Sequence, residues 1–189
     1  MGAAALLLPA CRDAKVAYYA VPKEKDPELP VAAPPGPDMA GAAVPTASGP
    51  VLTWTAPANW RPKPASAMRK GSYTVTGAGG ATADLSITAF PGDVGGELAN
   101  VNRWRGQVGL APLGEGDLQA SAGRLESNGL RMVVVDLSGS PGAQRLLGAI
   151  IPFGDGTWFI KLMGPDALVA QEKASFLDFL RTVRPAGGP

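Results

Sequence analysis

The chain has 189 residues, of which 46% are hydrophobic and 17% charged, so it can bury one core and is too apolar to be disordered throughout. Its formal net charge of +1 gives no broad basic surface, which disfavours nucleic acid as a partner. Because histidine is absent, Ser-His-Asp triads, Cys-His pairs and imidazole metal sites are excluded. We therefore predict a protein that is not an enzyme and that carries no cofactor and no metal ion.

The first eleven residues resemble the end of a bacterial lipoprotein export signal. An apolar run precedes the single cysteine of the chain, and Leu8, Ala10 and Cys11 match the lipobox, in which the cysteine sulfur takes a diacylglycerol. The run is short and no basic residue precedes it, which a start codon assigned too far downstream would explain. It is also too short to span a bilayer, which takes about 20 apolar residues. The alternative is an apolar N-terminus with a free surface cysteine.

Residues 12–50 predict a stalk between the membrane and a folded domain. The segment contains eight prolines and no sustained apolar period. Because proline fixes φ and lacks an amide donor, we expect an extended, semi-rigid arm. A polyproline II ligand for a partner is the alternative, although no repeated PxxP core with flanking basic residues is present.

The folded domain is predicted to begin near residue 51 with β-strands. Residues 51–55 alternate in polarity and predict a short strand, while residues 69–76 and 81–90 predict a β-hairpin. The glycine-rich residues 77–80 join the two strands. A phosphate-binding loop is the alternative for these glycines, but it would need a strand followed by a helix and a Lys-Ser or Lys-Thr pair.

A helix is predicted after this hairpin, capped at its N-terminus by Asp93 and ended by Gly109. The spacing of its apolar residues shifts from two to about three and a half. The predicted core stripe consists of Val94, Leu98, Val101, Arg105 and Val108.

The C-terminal half predicts more strands and a last helix. After a glycine-rich acidic loop at residues 114–117, residues 124–127 and 130–137 predict a hairpin that turns at Asn128-Gly129. Residues 145–153 and 157–163 predict a second hairpin. The last helix begins near Pro165 and repeats apolar residues to Val183 on one face. The predictions for its core face are Val169, Phe176, Phe179, Leu180 and Val183.

This order of elements predicts an α+β domain over residues 51–185, in which helices pack against an antiparallel sheet, followed by a flexible tail at residues 186–189. The motifs FPGDVGGELANVNRWRGQVGLAPL, at residues 90–113, and TWFIKLMGP, at residues 157–165, resemble those of a group of bacterial lipoproteins. The domain of that group is similar to the PsbP-like fold, which occurs in an extrinsic photosystem II subunit and in a Ran-binding nuclear import factor. The resemblance implies a curved antiparallel sheet sandwiched by two main helices. No metal or chloride ligand and no GTPase-binding residue of that fold can be matched here.

Polar and aromatic side chains cluster on the first predicted helix and give candidate binding residues. Trp and Arg dominate binding hot spots, and neighbouring amides can orient a partner by hydrogen bonds. Arg69, before a predicted strand, and Lys161, within one, can line the same face of the sheet, and the alternative is that each is a basic residue that snorkels at a sheet edge. The alternative places Trp104 in the core, uses Asn102 to cap a loop and leaves the arginines solvated. The candidates on the helix are Asn100, Asn102, Arg103, Trp104 and Arg105.

Three functions are compatible with these features. The first, which we favour, is a lipid-anchored, non-catalytic binding or adaptor module for a protein complex in the bacterial cell envelope. The second is a periplasmic lipoprotein that binds a small ligand on the concave sheet face. The third is a carboxylate-dependent hydrolase, for which Glu126 and Asp136 on adjacent predicted strands are the candidate acid and base.

Overall fold

The computed structural model describes residue 49 and residues 51–64, 66–140 and 144–187. Cys11 with its lipobox, the stalk apart from residue 49, and the last two residues of the tail lie outside the described residues. The lipid anchor and the stalk therefore remain predictions. Within the described part of the chain, no helix is both long enough and apolar enough to cross a bilayer.

Nine strands and four helices make up the described domain. The strands are β1 (Leu52–Thr53), β2 (Trp60–Pro62), β3 (Gly71–Thr76), β4 (Thr82–Pro91), β5 (Gly123–Ser127), β6 (Leu130–Ser138), β7 (Gln144–Phe153), β8 (Gly156–Pro165) and β9 (Arg184–Pro185). The helices are α1 (Gly96–Gln107), α2 (Glu115–Ser121), α3 (Asp166–Gln171) and α4 (Lys173–Thr182). The predicted α+β class is confirmed.

Seven strands form one antiparallel sheet in the spatial order β2-β3-β4-β8-β7-β6-β5, and β1 pairs with β9 in a separate two-stranded sheet. The two central strands β7 and β8 are buried along most of their length, because helices lie on both faces of the sheet. The three predicted hairpins are confirmed as the pairs β3–β4, β5–β6 and β7–β8. At the β5–β6 turn Asn128 and Gly129 have φ of 51° and 72°, which fits the left-handed conformation of a tight two-residue hairpin turn.

The two faces of the sheet carry separate apolar clusters. We call the side that contacts α3 and α4 the α3–α4 face, and the side that contacts α1 the α1 face. On the α3–α4 face, helix residues such as Phe176 and Leu180 pack on strand residues such as Leu85 and Ile160. The α1 face buries Val101, Trp104, Val108, Val133, Val135, Leu137, Leu146, Ile150 and Phe159.

The first helix begins later than predicted. Its N-terminal cap residue is Gly95, and Asp93 makes no side-chain cap, so the predicted capping role of Asp93 is wrong. The cause is the preceding loop, in which Gly95 and Gly96 adopt φ of 87° and 75° and delay the helical conformation. The buried face is also rotated relative to the predicted stripe, because Trp104 rather than Arg105 faces the sheet.

Three further elements differ from the sequence predictions. Helix α2 forms where a loop was predicted, with Glu115 and Asp117 in its first turn, where acidic side chains favour the helix dipole. Strand β2, which the sequence analysis missed, is an edge strand that ends at Pro62. The predicted last helix is divided at Glu172, whose carboxylate accepts hydrogen bonds from Trp60 Nε1 at 3.0 Å and Asn59 Nδ2 at 3.3 Å.

Candidate binding groove

The α1 face of the sheet is apolar under the helix and polar beside it. The buried apolar cluster under α1 takes its strand residues from β6, β7 and β8. Beside it, on β3 and on β4 as far as Thr88, the positions that share this face are polar. Ser72 pairs with Ser86, and Thr74 pairs with Asp84, across the two strands. Ser86 in turn pairs with Lys161 on β8. The helix therefore borders on a polar strip of the sheet.

A groove of about 430 Å³ lies along this border. We call it the α1 groove. The residues that give it its character are three cations and three aromatic side chains. They are Arg69, Arg103 and Lys161, and Phe90, Trp104 and Phe159. These residues come from the β2–β3 loop, the end of β4, the middle of β8 and one side of α1.

The aromatic side chains form a packed floor. The rings of Trp104 and Phe159 meet edge to face at 6.0 Å, and those of Phe90 and Phe159 are tilted at the same centroid distance. Trp104 is only 6% exposed, so the structure confirms the alternative prediction, which places it in the core. Gly148 on β7 makes room for it, since a Cβ at that position would lie 2.3 Å from the indole ring. The indole cannot extend into solvent as a binding anchor.

Arg69 is held on the polar strip by a network of hydrogen bonds. One of its guanidinium nitrogens donates to Ser72 Oγ at 2.8 Å and lies 2.9 Å from Asp84 Oδ2. Lys63 Nζ contacts Asp84 Oδ1 at 2.8 Å. Burial acts to raise the pKa of Asp84, but the hydrogen bond from Lys63 and the charges of Arg69 and Lys63 outweigh it and lower that pKa. Asp84 is thus an ionised carboxylate shared by two cations.

Lys161 lies on β8 opposite α1. Its ammonium donates to Gln107 Oε1 at 2.9 Å, which links the strand to the end of the helix. The pKa of Lys161 is lowered, first by burial of the ammonium and then by the charge of Arg69, and Asp84 only partly opposes this. Lys161 therefore places a half-buried positive charge in the groove, and the charge of Asp84 only partly compensates it.

Asn100 connects the loop before α1 to Arg103 in the groove. The residue is 3% exposed, and its Nδ2 donates to the carbonyl oxygens of Val94 at 3.1 Å and Gly96 at 2.7 Å. Its Oδ1 accepts a hydrogen bond from Arg103. Val94 has a φ of 20°, which is unusual for a β-branched residue, and Asn100 holds this strained turn in place. Asn100 thus positions both the loop and an exposed arginine.

Two of the seven candidate residues lie outside the groove. Asn102 exchanges two hydrogen bonds with the backbone of Leu113, at 3.0 and 2.7 Å. Arg105 donates from Nε to the carbonyl oxygen of Ala111 at 2.6 Å. Both side chains fasten the loop that follows α1, as the alternative prediction for Asn102 proposed. The other five candidates line the groove, and whether they bind a partner remains a prediction.

The predicted acid and base pair is wrong. Glu126 on β5 lies directly opposite Arg131 on β6, whereas Asp136 is five residues further along β6. Since side chains alternate between the two faces of a strand, Glu126 and Asp136 point to opposite sides of the sheet. Asp136 contacts Arg145 at 2.7 Å and Lys173 at 2.8 Å. It is part of an ion-pair network between the sheet and α4.

The polar strip and two aromatic residues of the floor, Phe90 and Phe159, were not among the residues predicted from the sequence. On β4, Asp84, Ser86 and Thr88 alternate with apolar residues and so belong to one face of the sheet. That alternation was visible in the sequence. The pairing of β4 with β8, which brings Phe159 and Lys161 beside this strip, depends on register and was not.

Comparisons with known proteins give structural similarity only. No protein-family model and no curated protein sequence matches the chain. LpqN, which is involved in cell envelope biogenesis of Mycobacterium tuberculosis, has a TM-score of 0.45 at 13% identity, over 73% of this chain and 84% of its own. A protein from Bacteroides thetaiotaomicron has a TM-score of 0.41 at 14% identity, over 71% of this chain and 45% of its own. PA94 from Pseudomonas aeruginosa has a TM-score of 0.39 at 12% identity, over 62% and 83%. At these values the similarity assigns no function.

Proposed function

We propose that the protein is a non-catalytic binding module of the bacterial cell envelope, that a lipid on Cys11 anchors it to the membrane, and that the α1 groove is its binding surface. The observation that supports this most is the convergence of Arg69, Arg103 and Lys161 around an aromatic floor. A partner for this surface would be a protein component of an envelope complex that presents an acidic and apolar segment.

The groove has the properties of a prepared binding surface. Trp104 and Phe159 are packed in place, so little side-chain entropy would be lost when a partner contacts them. Arg103 is exposed at the rim, while hydrogen bonds hold Arg69 to Ser72. Arginine and aromatic residues in such an arrangement are typical of binding hot spots.

The charges around the groove favour binding over catalysis. Asp84, whose charge acts on both Arg69 and Lys161, is shared by Lys63 and Arg69 and has a lowered pKa. A general base at neutral pH is favoured by a pKa near the working pH, which requires the opposite shift. The carboxylate pair that supported a hydrolase is separated by the sheet. We therefore retain the non-catalytic proposal.

A small-ligand carrier is the second candidate function. The volume of the groove, about 430 Å³, falls within the range of small-molecule sites, about 300–1,000 Å³. This candidate needs the same residues and differs from the first in the size of what is bound.

Site-specific photocrosslinking in living bacteria tests the binding surface. A benzophenone amino acid at Gln107, which is exposed at the rim, should trap a discrete partner in the envelope fraction. The same amino acid at Asp178, which is 77% exposed on α4, is the matched control. In the chain that carries the benzophenone amino acid at position 107, Lys161→Glu should abolish the adduct. Identical adducts at both positions, or no adduct at Gln107, would contradict a protein partner at this surface.

The lipid anchor has its own test. Mass spectrometry of the native protein should find an N-terminal Cys11 carrying a diacylglycerol. Cys11→Ser should release the protein from the membrane fraction without changing the folded domain. An intact Met1 on the native protein would contradict the anchor and leave the groove proposal unaffected.

A further inference from the structure

We propose that the ligand of the α1 groove is a small amphipathic anion, whose carboxylate or phosphate pairs with Lys161 and Arg103 while its apolar part lies on Phe90 and Met68. This inference rests on the proposed function, since it names what the same groove binds, and it favours the small-ligand candidate over the protein segment.

The cations of the groove outnumber the carboxylates that could neutralise them. Arg69 shares Asp84 with Lys63, so one carboxylate serves two cations. Among the described residues, the hydrogen-bond partners of Lys161 and Arg103 are neutral amides, those of Gln107 and Asn100. An ammonium has three donors and a guanidinium five, so both groups keep donors for an anion.

The position of Lys161 makes it the better of the two for holding an anion. Its side chain is half-buried, and a charge pair in such a place is screened less by water than one on the open surface. The guanidinium of Arg69 lies near enough to destabilise the ammonium of Lys161, and Asp84 only partly compensates. An anion that enters the groove would offset this repulsion. Its binding would therefore gain free energy that binding to an isolated surface lysine does not provide.

The groove also offers apolar surface beside the cations. Phe90 and Val94 are half-buried at its wall, and Met68 is 47% exposed, one of two large hydrophobic residues that the described part of the chain leaves exposed. An inorganic anion would leave these side chains in water. An anion with an acyl or aryl body would cover them and gain about 25 cal/mol for each Å² of apolar surface removed from water.

The size of the groove suits a small molecule. Its volume of about 430 Å³ lies within the range of small-molecule sites, about 300–1,000 Å³. A single acyl chain or ring with one charged group is compatible with this space. We therefore choose a monomeric amphiphile over a protein segment or a bilayer surface.

Titration calorimetry with decanoate, below its micelle concentration, tests the ligand class. Decanol has the same chain without the charge, decyltrimethylammonium carries the opposite charge, and acetate lacks the chain. Decanoate should bind at least roughly tenfold more tightly than each of the three, as expected for one charge-assisted hydrogen bond combined with apolar burial. Equal binding of decanol and decanoate would overturn the role of the anion. Equal binding of acetate and decanoate would overturn the role of the apolar wall.

Charge variants assign the site. Lys161→Gln should weaken decanoate binding roughly tenfold, while Lys161→Arg should retain most of it. Arg184→Gln, on the exposed strand β9, removes the same charge elsewhere and should leave the affinity unchanged. Equal losses in Lys161→Gln and Arg184→Gln would show a general effect of net charge and overturn the assignment.

Two outcomes separate this inference from the proposed function. If phosphatidylglycerol vesicles bind the chain while monomeric decanoate does not, the ligand is a membrane surface and the inference falls. If photocrosslinking at Gln107 traps a protein whose binding decanoate does not affect, the groove is a protein-binding surface and only the inference falls. If neither decanoate nor a crosslinked partner is found, the proposed function falls with it.

Discussion

The two faces of the seven-stranded sheet differ in how completely helices cover them. On the α3–α4 face the apolar cluster takes buried residues from β2, β3, β4, β6, β7 and β8, among them Trp60 and Trp158, with Trp54 packed against it. On the α1 face the buried strand residues come from β6, β7 and β8, and β3 and β4 present polar side chains. The α3–α4 face is thus apolar across most of the sheet, whereas the α1 face combines a smaller core with a polar strip.

The difference shows how a groove can form without a specialised loop or domain. The 12-residue helix α1, together with Leu118 of the short helix α2, covers only part of the α1 face. At the edge of that cover, the aromatic residues under the helix meet the polar residues of the neighbouring strands. The groove therefore forms because the helices leave part of the α1 face uncovered. Its charge depends on which polar residues lie on the uncovered part of the strands.

The largest effect on the free energy of unfolding is expected on the α3–α4 face. Phe176 is completely buried, and Phe176→Ala should lower the free energy of unfolding by about 3–5 kcal/mol, through lost apolar burial and the cavity that remains. Denaturant unfolding measures the change. Leu177→Ala on the same helix, at a half-buried position, is the control and should cost clearly less. Equal losses for the two variants would mean that α4 does not pack as described.

A smaller loss is expected from overpacking the α1 face. Gly148→Ala places a Cβ where the indole of Trp104 lies, and it should lower the free energy of unfolding by about 1–3 kcal/mol. It should also move Trp104 and change its fluorescence. Gly106→Ala on α1, where a Cβ would meet nothing, is the control and should be neutral or stabilising. A neutral Gly148→Ala would show that α1 is not seated on β7.

A pH-dependent effect is expected from Asp136, which connects the sheet to α4. Burial acts to raise its pKa, but Arg145 and Lys173 outweigh this, so the pKa is lowered in the folded state. The stability that Asp136 contributes is therefore present above its ordinary pKa and is lost as the pH falls through the lowered one.

Asp136→Asn should lower the free energy of unfolding by about 1–2 kcal/mol at pH 7, and this difference should disappear in strong acid. Asp178→Asn, at an exposed ion pair on α4, is the matched control and should change it by less than about 0.5 kcal/mol. If both variants show the same pH dependence, Asp136 has no special role.

The smallest effect on stability is expected in the groove itself. Lys161→Gln removes a half-buried ammonium whose folded-state pKa is lowered, so the free energy of unfolding should change by no more than about 0.5 kcal/mol, or rise slightly. Thermal unfolding and decanoate binding should respond differently in this variant, since binding weakens roughly tenfold while stability is kept. A large loss of stability would assign Lys161 to the core instead of the groove.

Most of the strands could be predicted from local patterns. The Asn128-Gly129 turn and the alternation in β6 depend on neighbouring residues alone, and both predictions are confirmed. The start of α1 could not be placed, because two glycines in the left-handed conformation override the capping tendency of Asp93. Glycine permits this conformation without requiring it, so the sequence leaves the choice to tertiary packing.

The groove, too, could be predicted from the sequence only in part. Arg69 and Lys161 were predicted to share a face of the sheet, and they do. The helix residues were predicted as one cluster, but α1 divides them, because Trp104 turns towards Gly148 while Asn102 and Arg105 turn towards the following loop. Which side of a helix faces the sheet depends on the space that the opposing strands provide, and that space depends on strand register.

The four tryptophans report on the two faces and allow one direct test of the central claim. Trp54, Trp60 and Trp158 belong to the α3–α4 face, and Trp104 lies in the α1 groove. In protein labelled with 5-fluorotryptophan, decanoate should shift the ¹⁹F resonance that Trp104→Phe removes and leave the other three in place. A shift confined to the other three resonances, or none at Trp104 under saturating decanoate, would contradict the account.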